Sequence, residues 1–239
     1  MEKQTTQEQL YDVWVNKVYD YLTAVGPKID RCTSVLQSKP VLDNNLGVVF
    51  LGFGPTGDVN YVHVDKKRFY YGSPFFLTDK NEWRVWTKLY EAFDQIKYLN
   101  PLTEGNYQFM NATYFCAENT AKLKDELKLL EVDIRYEDVQ KQCLEFTSEL
   151  IHHILKPKCI VCFSVKDCYN PLKAQFKFDK EEVLTPTNKD KKPNKHIINK
   201  ALWGKIPVYG MTHPSAAISN EDWNGIVRVF KKEMEQLGI

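Results

Sequence analysis

The chain has 239 residues, of which 43% are hydrophobic and 26% are charged, proportions typical of soluble globular proteins. These values exclude a mainly disordered or fibrous protein. The formal net charge of +1 excludes a protein that coats nucleic acid through its overall charge, although local basic patches can still contact phosphates. At this length α/β proteins often fold as one unit, so we expect a single domain over residues 1–239.

The amino-terminal residues are polar and include Glu2, Lys3 and Glu8, so they lack the apolar stretch of a secretory signal. No segment has the length of a transmembrane helix. The six cysteines indicate reduced thiols rather than a disulfide framework. We therefore expect an intracellular monomer, cytoplasmic or, in a eukaryote, nuclear, that does not bind membranes.

Helical patterns and apolar strand-like runs alternate along the chain. The leading pattern, residues 6–24, places Leu10, Trp14 and Val18 on one helical face. Further helical patterns cover residues 82–98, 118–130, 136–155 and 219–236, and buried strands are predicted over 47–52, 107–112, 158–163 and 206–211. This order predicts an α/β fold with three α/β/α layers and a central, mainly parallel four-stranded sheet.

The glycine-rich loop Gly52–Gly57 follows the first predicted strand and matches the dinucleotide-binding pattern Gly-x-Gly-x-x-Gly. That pattern requires a helix to begin at the third glycine, because the helix N-terminus binds the pyrophosphate. Residues 58–76 are instead rich in β-branched and aromatic residues without a helical period. A nucleotide-binding α/β enzyme therefore stays an alternative only.

Three loops follow predicted strands, over residues 52–58, 111–113 and 212–219, and in a parallel sheet they would converge. Here the sequence resembles the uracil-DNA glycosylase superfamily, whose members have a Gly-x-(Asp/Asn)-Pro loop, a strand-end Asn and a late His-Pro-Ser loop. The matching segments are Gly52-Phe-Gly-Pro55, Met110-Asn-Ala112 and His213-Pro-Ser215, and Gly72-Ser-Pro-Phe75 is similar to the family's Gly-x-Pro-Phe stretch. The resemblance spans about residues 47–232 as separated short motifs in the family's order.

This resemblance implies a DNA glycosylase that needs no cofactor. The iron–sulfur cluster of the family would need closely spaced N-terminal cysteines, and only Cys32 lies in that region, so we expect no metal. His213 would donate a hydrogen bond to the base carbonyl oxygen as negative charge develops there. Asn111 would recognise the Watson–Crick edge of a base flipped out of DNA, and Phe75 would stack on it. Gly54 would lie in the base-binding loop.

The same resemblance implies contacts to single- or double-stranded DNA. Pro214 and Ser215 would hold a phosphate, while Ala217 or Ile218 would fill the vacated base stack. The lysine-rich stretch 185–195, which indicates an exposed loop, offers Lys191 and Lys192 to further phosphates.

One position departs from the family pattern. Gly54 stands where the family has the Asp or Asn that orients water, and a glycine cannot do this. Asp58, in the same loop, is the candidate replacement. The altered loop predicts a roomier or differently shaped pocket, so a bulkier modified pyrimidine, as in viral DNA, is a candidate substrate beside uracil. Repair and defence both stay open as the role. The alternative is an inactive module of the same fold that binds DNA or a protein partner.

Overall fold

The computed structural model describes residues 6–42, 46–55, 60–63, 65–66, 88, 106–130, 133–190 and 192–239. Asp58, Phe75 and Lys191 lie outside these residues. The helix predicted over 82–98 also lies outside them, apart from Lys88.

Five α-helices and six strands are formed by the described residues. The helices are α1 Gln7–Ile29, α2 Thr120–Leu129, α3 Tyr136–Glu149, α4 Asn170–Phe176 and α5 Asn220–Gln236. The strands are β1 Val48–Gly52, β2 Tyr107–Asn111, β3 Cys159–Phe163, β4 Asp179–Leu184, β5 Ile198–Trp203 and β6 Ile206–Met211. Two π-helical turns, Leu150–Leu155 and Val165–Tyr169, follow α3 and precede α4.

The strands form one mixed sheet in the order β2-β1-β3-β6-β5-β4. Strand β3 pairs in parallel with β1 and β6, so that Val161 lies between Phe50 and Tyr209. Strand β5 is antiparallel to both β6 and β4. The α/β class is confirmed and all four expected strands are present, but the predicted strand number of four is wrong.

The two additional strands lack the continuous apolar run of a buried strand. Strand β5 has the sequence Ile-Asn-Lys-Ala-Leu-Trp and is only partly buried. Strand β4 has the sequence Asp-Lys-Glu-Glu-Val-Leu and its first five residues are exposed, so it has none of the apolar character of a buried strand. Lys180 has a φ of 51°, and the pairing with β5 shifts register between Asp179 and Glu182. Strand β4 is therefore a charged and irregular edge.

The chain divides into two compact units whose segments alternate along the sequence. The first contains Met1–Leu46, Gly52–Pro74 and Gln108–Lys156, and the second contains Gly47–Leu51, Phe75–Tyr107 and Pro157–Ile239. The single domain expected over 1–239 stays a prediction.

In the first unit α1 begins at a capping box. The Thr6 side chain accepts a hydrogen bond from the Gln9 N–H, and the Gln9 side chain accepts one from the Thr6 N–H, which satisfies two donors at the start of the helix. The buried face of α1 includes Trp14, whose indole N–H donates to the Phe146 carbonyl of α3 at 2.9 Å. The predicted leading helix is confirmed, and it continues to Ile29.

A non-helical stretch of the first unit, which we call the edge segment (residues 32–38), runs antiparallel to the chain around β2. Its backbone bonds are Gln37 N–H to Phe109 O at 2.8 Å, Asn111 N–H to Val35 O at 3.0 Å and Ser34 N–H to Tyr114 O at 2.9 Å. Backbone groups of β2 that would otherwise lack partners are thereby bonded. The segment thus ties the start of the chain to the end of β2.

In the second unit α5 is held to the sheet by a partly buried polar cluster. The Tyr209 hydroxyl of β6 donates to Glu233 of α5 at 3.0 Å, and Lys200 of β5 pairs with the same carboxylate at 2.6 Å. Glu233 is only 8% exposed, so these bonds compensate for the loss of its hydration. The cluster fixes α5 and the loop that precedes it.

Candidate active site

The His-Pro-Ser segment forms the loop between β6 and α5, residues 212–219, which we call the histidine loop. The Ala216 N–H donates to the His213 carbonyl at 2.9 Å, which closes a turn. The Ser219 hydroxyl accepts from the Asp222 N–H at 3.1 Å and so caps α5. His213 is half-buried in this loop, Pro214 is buried and Ser215 is exposed.

The hydrogen bonds of His213 decide which ring nitrogen holds the proton. Nδ1 accepts from the backbone N–H of Ser215 at 3.2 Å and lies 2.6 Å from the Ser215 hydroxyl. A backbone N–H can only donate, so Nδ1 of the neutral ring must be the acceptor. The neutral imidazole therefore has its hydrogen on Nε2, which can donate to a ligand.

The surroundings of His213 favour this neutral form. The ring lies edge-to-face against Phe163, with the ring centroids 5.9 Å apart. Burial lowers the pKa of His213 below its ordinary value of 6.5, because the charged form loses more hydration than the neutral form. At neutral pH the side chain is thus an uncharged hydrogen-bond donor.

A second histidine contacts the histidine loop. His196 Nδ1 lies 3.3 Å from the Thr212 hydroxyl, and the His196 N–H donates to the Asn194 side chain at 2.8 Å. Asn194 is only 4% exposed and also donates to the Asp222 carbonyl at 2.8 Å. The stretch 185–195 is therefore held against the start of α5 rather than wholly exposed. No motif signals His196, because its contact to Thr212 depends on the pairing of β5 with β6.

In the first unit the start of the glycine loop, residues 52–54, lies directly against the end of β2. Ala112 and Thr113 donate their N–H groups to the carbonyls of Gly52 and Phe53 at 2.8 and 2.7 Å. A Cβ atom on Gly54 would lie 3.1 Å from the Thr113 carbonyl oxygen. An Asp or Asn at position 54 would therefore require a shift of its neighbour by a few tenths of an ångström. The close approach of the Thr113 backbone therefore favours glycine, which has no Cβ atom, at position 54.

Asn111 ends β2 and is only 1% exposed. Its Oδ1 accepts from Gln37 Nε2 at 3.0 Å, and its Nδ2 donates to the Ser34 carbonyl at 3.1 Å. One lone pair on Oδ1 and one hydrogen on Nδ2 remain for another partner. Sequence reasoning missed Gln37 and Ser34, because they precede Asn111 by more than 70 residues.

Two buried polar atoms near Asn111 belong to Thr113, two residues further along the chain, and to Gln37, which bonds to the Asn111 side chain. Thr113 Oγ1 and Gln37 Oε1 are buried without a hydrogen-bond partner among the residues described. Buried polar atoms in proteins are nearly always bonded. These atoms are available to polar groups of a ligand or of the rest of the chain.

Gly54 and Asn111 both belong to the first unit, where Gly54 packs against Thr113 and Gly52 lies beside Asn111. The remaining described candidates belong to the second unit: His213, Pro214, Ser215, Ala217, Ile218 and Lys192. Lys192 is exposed, and its N–H is bound by the Asn188 side chain at 2.9 Å. Of the two candidates for the apolar wedge, Ala217 is exposed, whereas Ile218 is only 6% exposed.

Within the described ranges, no group of three or more His, Cys, Asp or Glu side chains could hold a metal ion. None of the helices in this part of the chain is long and apolar enough to span a membrane. All six cysteines are free thiols.

No protein-family model and no curated protein sequence matches the chain. Assignment to the uracil-DNA glycosylase superfamily is therefore a proposal that depends on the motifs and on the geometry of their side chains.

Proposed function

We propose that the protein is a monofunctional DNA glycosylase of the uracil-DNA glycosylase superfamily. It flips uracil or a modified pyrimidine out of DNA and hydrolyses the N-glycosidic bond, leaving an abasic site. The observation that carries this proposal is the hydrogen-bonded state of His213, which leaves a neutral ring with a donor at Nε2.

Breaking the glycosidic bond places negative charge on the departing base and positive charge on the sugar. A donor fixed in advance at the base oxygen stabilises the transition state more than the ground state. Ser215 and Phe163 hold the His213 ring in place, so the donor needs little reorganisation during the reaction. A neutral donor also adds no positive charge near the sugar cation.

Base recognition is assigned to Asn111. Its remaining hydrogen and lone pair match an edge that has one acceptor and one donor, such as O4 and N3–H of uracil. Its 1% exposure means that these bonds form away from bulk water, where each is stronger. Phe75 is proposed to stack on the base, and Gly54 to line the same loop.

Orientation of the attacking water is assigned to Asp58, because Gly54 has no side chain. Replacement of Asp58 by Asn keeps the size of the side chain but removes its charge, and we expect it to slow base release at least tenfold. An unchanged single-turnover rate would remove Asp58 from the mechanism.

DNA contacts are assigned to the histidine loop and to two lysines of the stretch 185–195. Ser215 and the Pro214 backbone are proposed to hold a phosphate, and Ala217 to fill the vacated stack. Lys191 and Lys192 add sequence-independent attraction to the backbone.

The decisive test is release of free base from single- and double-stranded oligonucleotides that contain uracil, thymine, cytosine or 5-hydroxymethyluracil. The wild-type protein should release one or more of these bases and leave alkali-sensitive abasic sites, while His213→Ala should not. No release from any substrate would contradict the proposal.

A second candidate function is a DNA- or partner-binding module without activity. Two observations favour it: Gly54 has no side chain to orient water, and the Asn111 amide is already bonded within the chain. DNA binding without base release would support this alternative.

A further inference from the structure

We propose that Cys32 and Cys116 are a site of reversible oxidation, at which a low-molecular-weight disulfide such as oxidised glutathione converts the two thiols into a protein disulfide. This bond locks the edge segment onto the chain that follows β2. Both cysteines belong to the first unit. The inference depends on the backbone pairing of that unit and not on the proposed enzymatic activity, so that each can fail without the other.

The backbone places the two cysteines opposite each other. Thr33 forms an antiparallel bridge with Phe115, and the Cys116 N–H donates to the Cys32 carbonyl at 2.8 Å. In an antiparallel pair, one step back from Thr33 faces one step forward from Phe115. Cys32 and Cys116 are therefore direct cross-strand partners, although they are far apart in the sequence.

Directly opposed residues of an antiparallel pair have a geometry that suits a disulfide. Where backbone hydrogen bonds join such residues, their Cα atoms are about 5.5 Å apart, which is close to the commonest separation across a disulfide. Their side chains also project from the same face, with Cβ atoms about 4.5–5.5 Å apart. The Cβ atoms of Cys32 and Cys116 thus need to approach by only about 1 Å.

Exposure selects this pair among the six cysteines. Cys32 is half-buried, so an oxidant in solution reaches its sulfur, whereas Cys116 is only 7% exposed. The other four have no exposed surface: Cys143, Cys159, Cys162 and Cys168, each 0%. Cysteines that respond to oxidants are accessible and often lie next to a second cysteine that resolves the first product. Cys32 meets both conditions.

The reaction transfers two electrons from the protein to the oxidant. The ionised thiol of Cys32 attacks one sulfur of oxidised glutathione, the glutathione S–S bond breaks, and one glutathione leaves as a thiolate. The ionised thiol of Cys116 then attacks the Cys32 sulfur of this mixed disulfide, and the second glutathione leaves. The two protons lost by the cysteines pass through water to the two glutathione thiolates. The products are one protein disulfide and two molecules of reduced glutathione.

The disulfide strengthens a connection that otherwise depends on few backbone bonds. The edge segment is bridged to the chain around β2 at two isolated positions, and pairings of this kind open locally at a low cost in free energy. A covalent bond beside the first bridge keeps the two segments together when these bonds open. It also closes a long ring from Cys32 to Cys116, which restricts the unfolded chain.

The first experiment incubates the full chain in glutathione buffers and locates disulfides by mass spectrometry of unreduced peptides. We expect the oxidised wild-type protein to have a bond between Cys32 and Cys116 and no bound glutathione, and dithiothreitol should reverse the change. The Cys116→Ser variant should instead retain glutathione on Cys32, because no second thiol resolves the mixed disulfide. The matched control is Cys143→Ser, which removes another buried thiol of the first unit and should form the bond as the wild type does.

The second experiment measures whether the bond locks the edge segment. The amide hydrogens of Ser34, Gln37 and Asn111 bond between this segment and the chain around β2. In the oxidised protein they should exchange with solvent about tenfold or more slowly than in the reduced protein, while the amides of β5 in the second unit keep their rates. Cys32→Ser should have the same rates with and without the oxidant.

Three results would overturn the inference. They are a wild-type protein that keeps both thiols or a stable glutathione adduct on Cys32, a bond from Cys116 to a different cysteine, and equal exchange rates in the oxidised and reduced forms. If Cys116→Ser does not fold, the wild-type peptide map and the Cys32→Ser variant, which changes a half-buried residue, still decide the question.

Discussion

His213 and Ser215 bond to each other twice. The Ser215 hydroxyl lies 2.6 Å from His213 Nδ1, and the Ser215 N–H donates to the same nitrogen at 3.2 Å. Both contacts occupy the side of the ring that faces its own loop. Consequently the opposite nitrogen, Nε2, is the one that can donate to a ligand, and this arrangement depends on Ser215 following His213 by two residues.

Loss of the His213 ring should abolish base release while sparing the fold. We expect His213→Ala to lower the single-turnover rate by about 10²–10³-fold, which is the effect of removing one preorganised donor. The control is His153→Ala, which removes an exposed histidine from the first unit. Equal rates in the two variants would exclude His213 as the donor.

The rate of base release should fall at acidic pH because His213 becomes protonated; we call this part of the pH profile the acid limb. Since burial lowers its pKa, the neutral ring persists below pH 6.5, the ordinary value, and activity falls only at lower pH. Removal of the Ser215 hydroxyl takes away a donor that stabilises the neutral form. Ser215→Ala should therefore shift the acid limb to higher pH, and an NMR titration of the ring should shift in the same direction.

The same lowered pKa links stability to pH. The unfolded chain binds a proton at this histidine near pH 6.5, whereas the folded chain resists protonation, so the unfolded state holds more protons between the two pKa values. The contribution of His213 to stability is thus present above pH 6.5 and is lost as the pH falls through the folded value. Urea denaturation of wild type and His213→Ala across this range should converge at acidic pH.

Replacement of Asn111 should affect both folding and activity. Asn111→Ala leaves Gln37 Nε2 and the Ser34 carbonyl without their partner, at an expected cost of about 1–3 kcal/mol in the free energy of unfolding. Asn119→Ala is the comparison, because it removes the side-chain cap of α2 at a cost of about 1 kcal/mol. Only the change at Asn111 should abolish base release.

The buried bond between Tyr209 and Glu233 should contribute to stability alone. Tyr209→Phe removes the hydroxyl but leaves Glu233 paired with Lys200, so we expect a loss of about 1 kcal/mol in urea denaturation. Tyr19→Phe, which removes an exposed hydroxyl from α1, should cost less. A change in the uracil excision rate of the folded Tyr209→Phe protein would contradict a purely structural role.

Lys192 should contribute to DNA affinity without regard to sequence. In a plot of log binding constant against log salt concentration, Lys192→Ala is expected to reduce the magnitude of the slope by about 1, the effect of losing one phosphate contact. Lys205→Ala is the control, because this exposed lysine lies in the turn between β5 and β6, away from the end of β6 that leads to His213. Equal salt slopes would place Lys192 outside the DNA interface.

The sequence allowed prediction of elements that bury apolar residues. Strands β1 and β3 consist of buried, mainly apolar residues, and such runs are visible without any knowledge of their neighbours. Strand β4 is polar and exposed. It is recognised as a strand through its pairing with β5, which cannot be read from its own residues. Local composition therefore predicted the apolar strands β1, β2, β3 and β6 but not β4 or the strand β5 that pairs with it.

The candidate site shows the same division. His213 and Asn111 were predicted because they occur in short motifs. Gln37 occurs in no motif, and its contact with Asn111 exists only because the edge segment folds back along β2. Contacts between distant segments depend on the path of the chain, which periodicity does not reveal.

The charged strand β4 has a consequence for behaviour at high concentration. A second molecule that added a strand to this edge would have to strip water from Asp179, Lys180, Glu181 and Glu182, all of them exposed, and to follow the register shift. Charges and bulges of this kind hinder edge-to-edge aggregation. Substitution of these residues by Thr and Val should therefore yield a protein that retains its fold but precipitates or forms fibrils on storage.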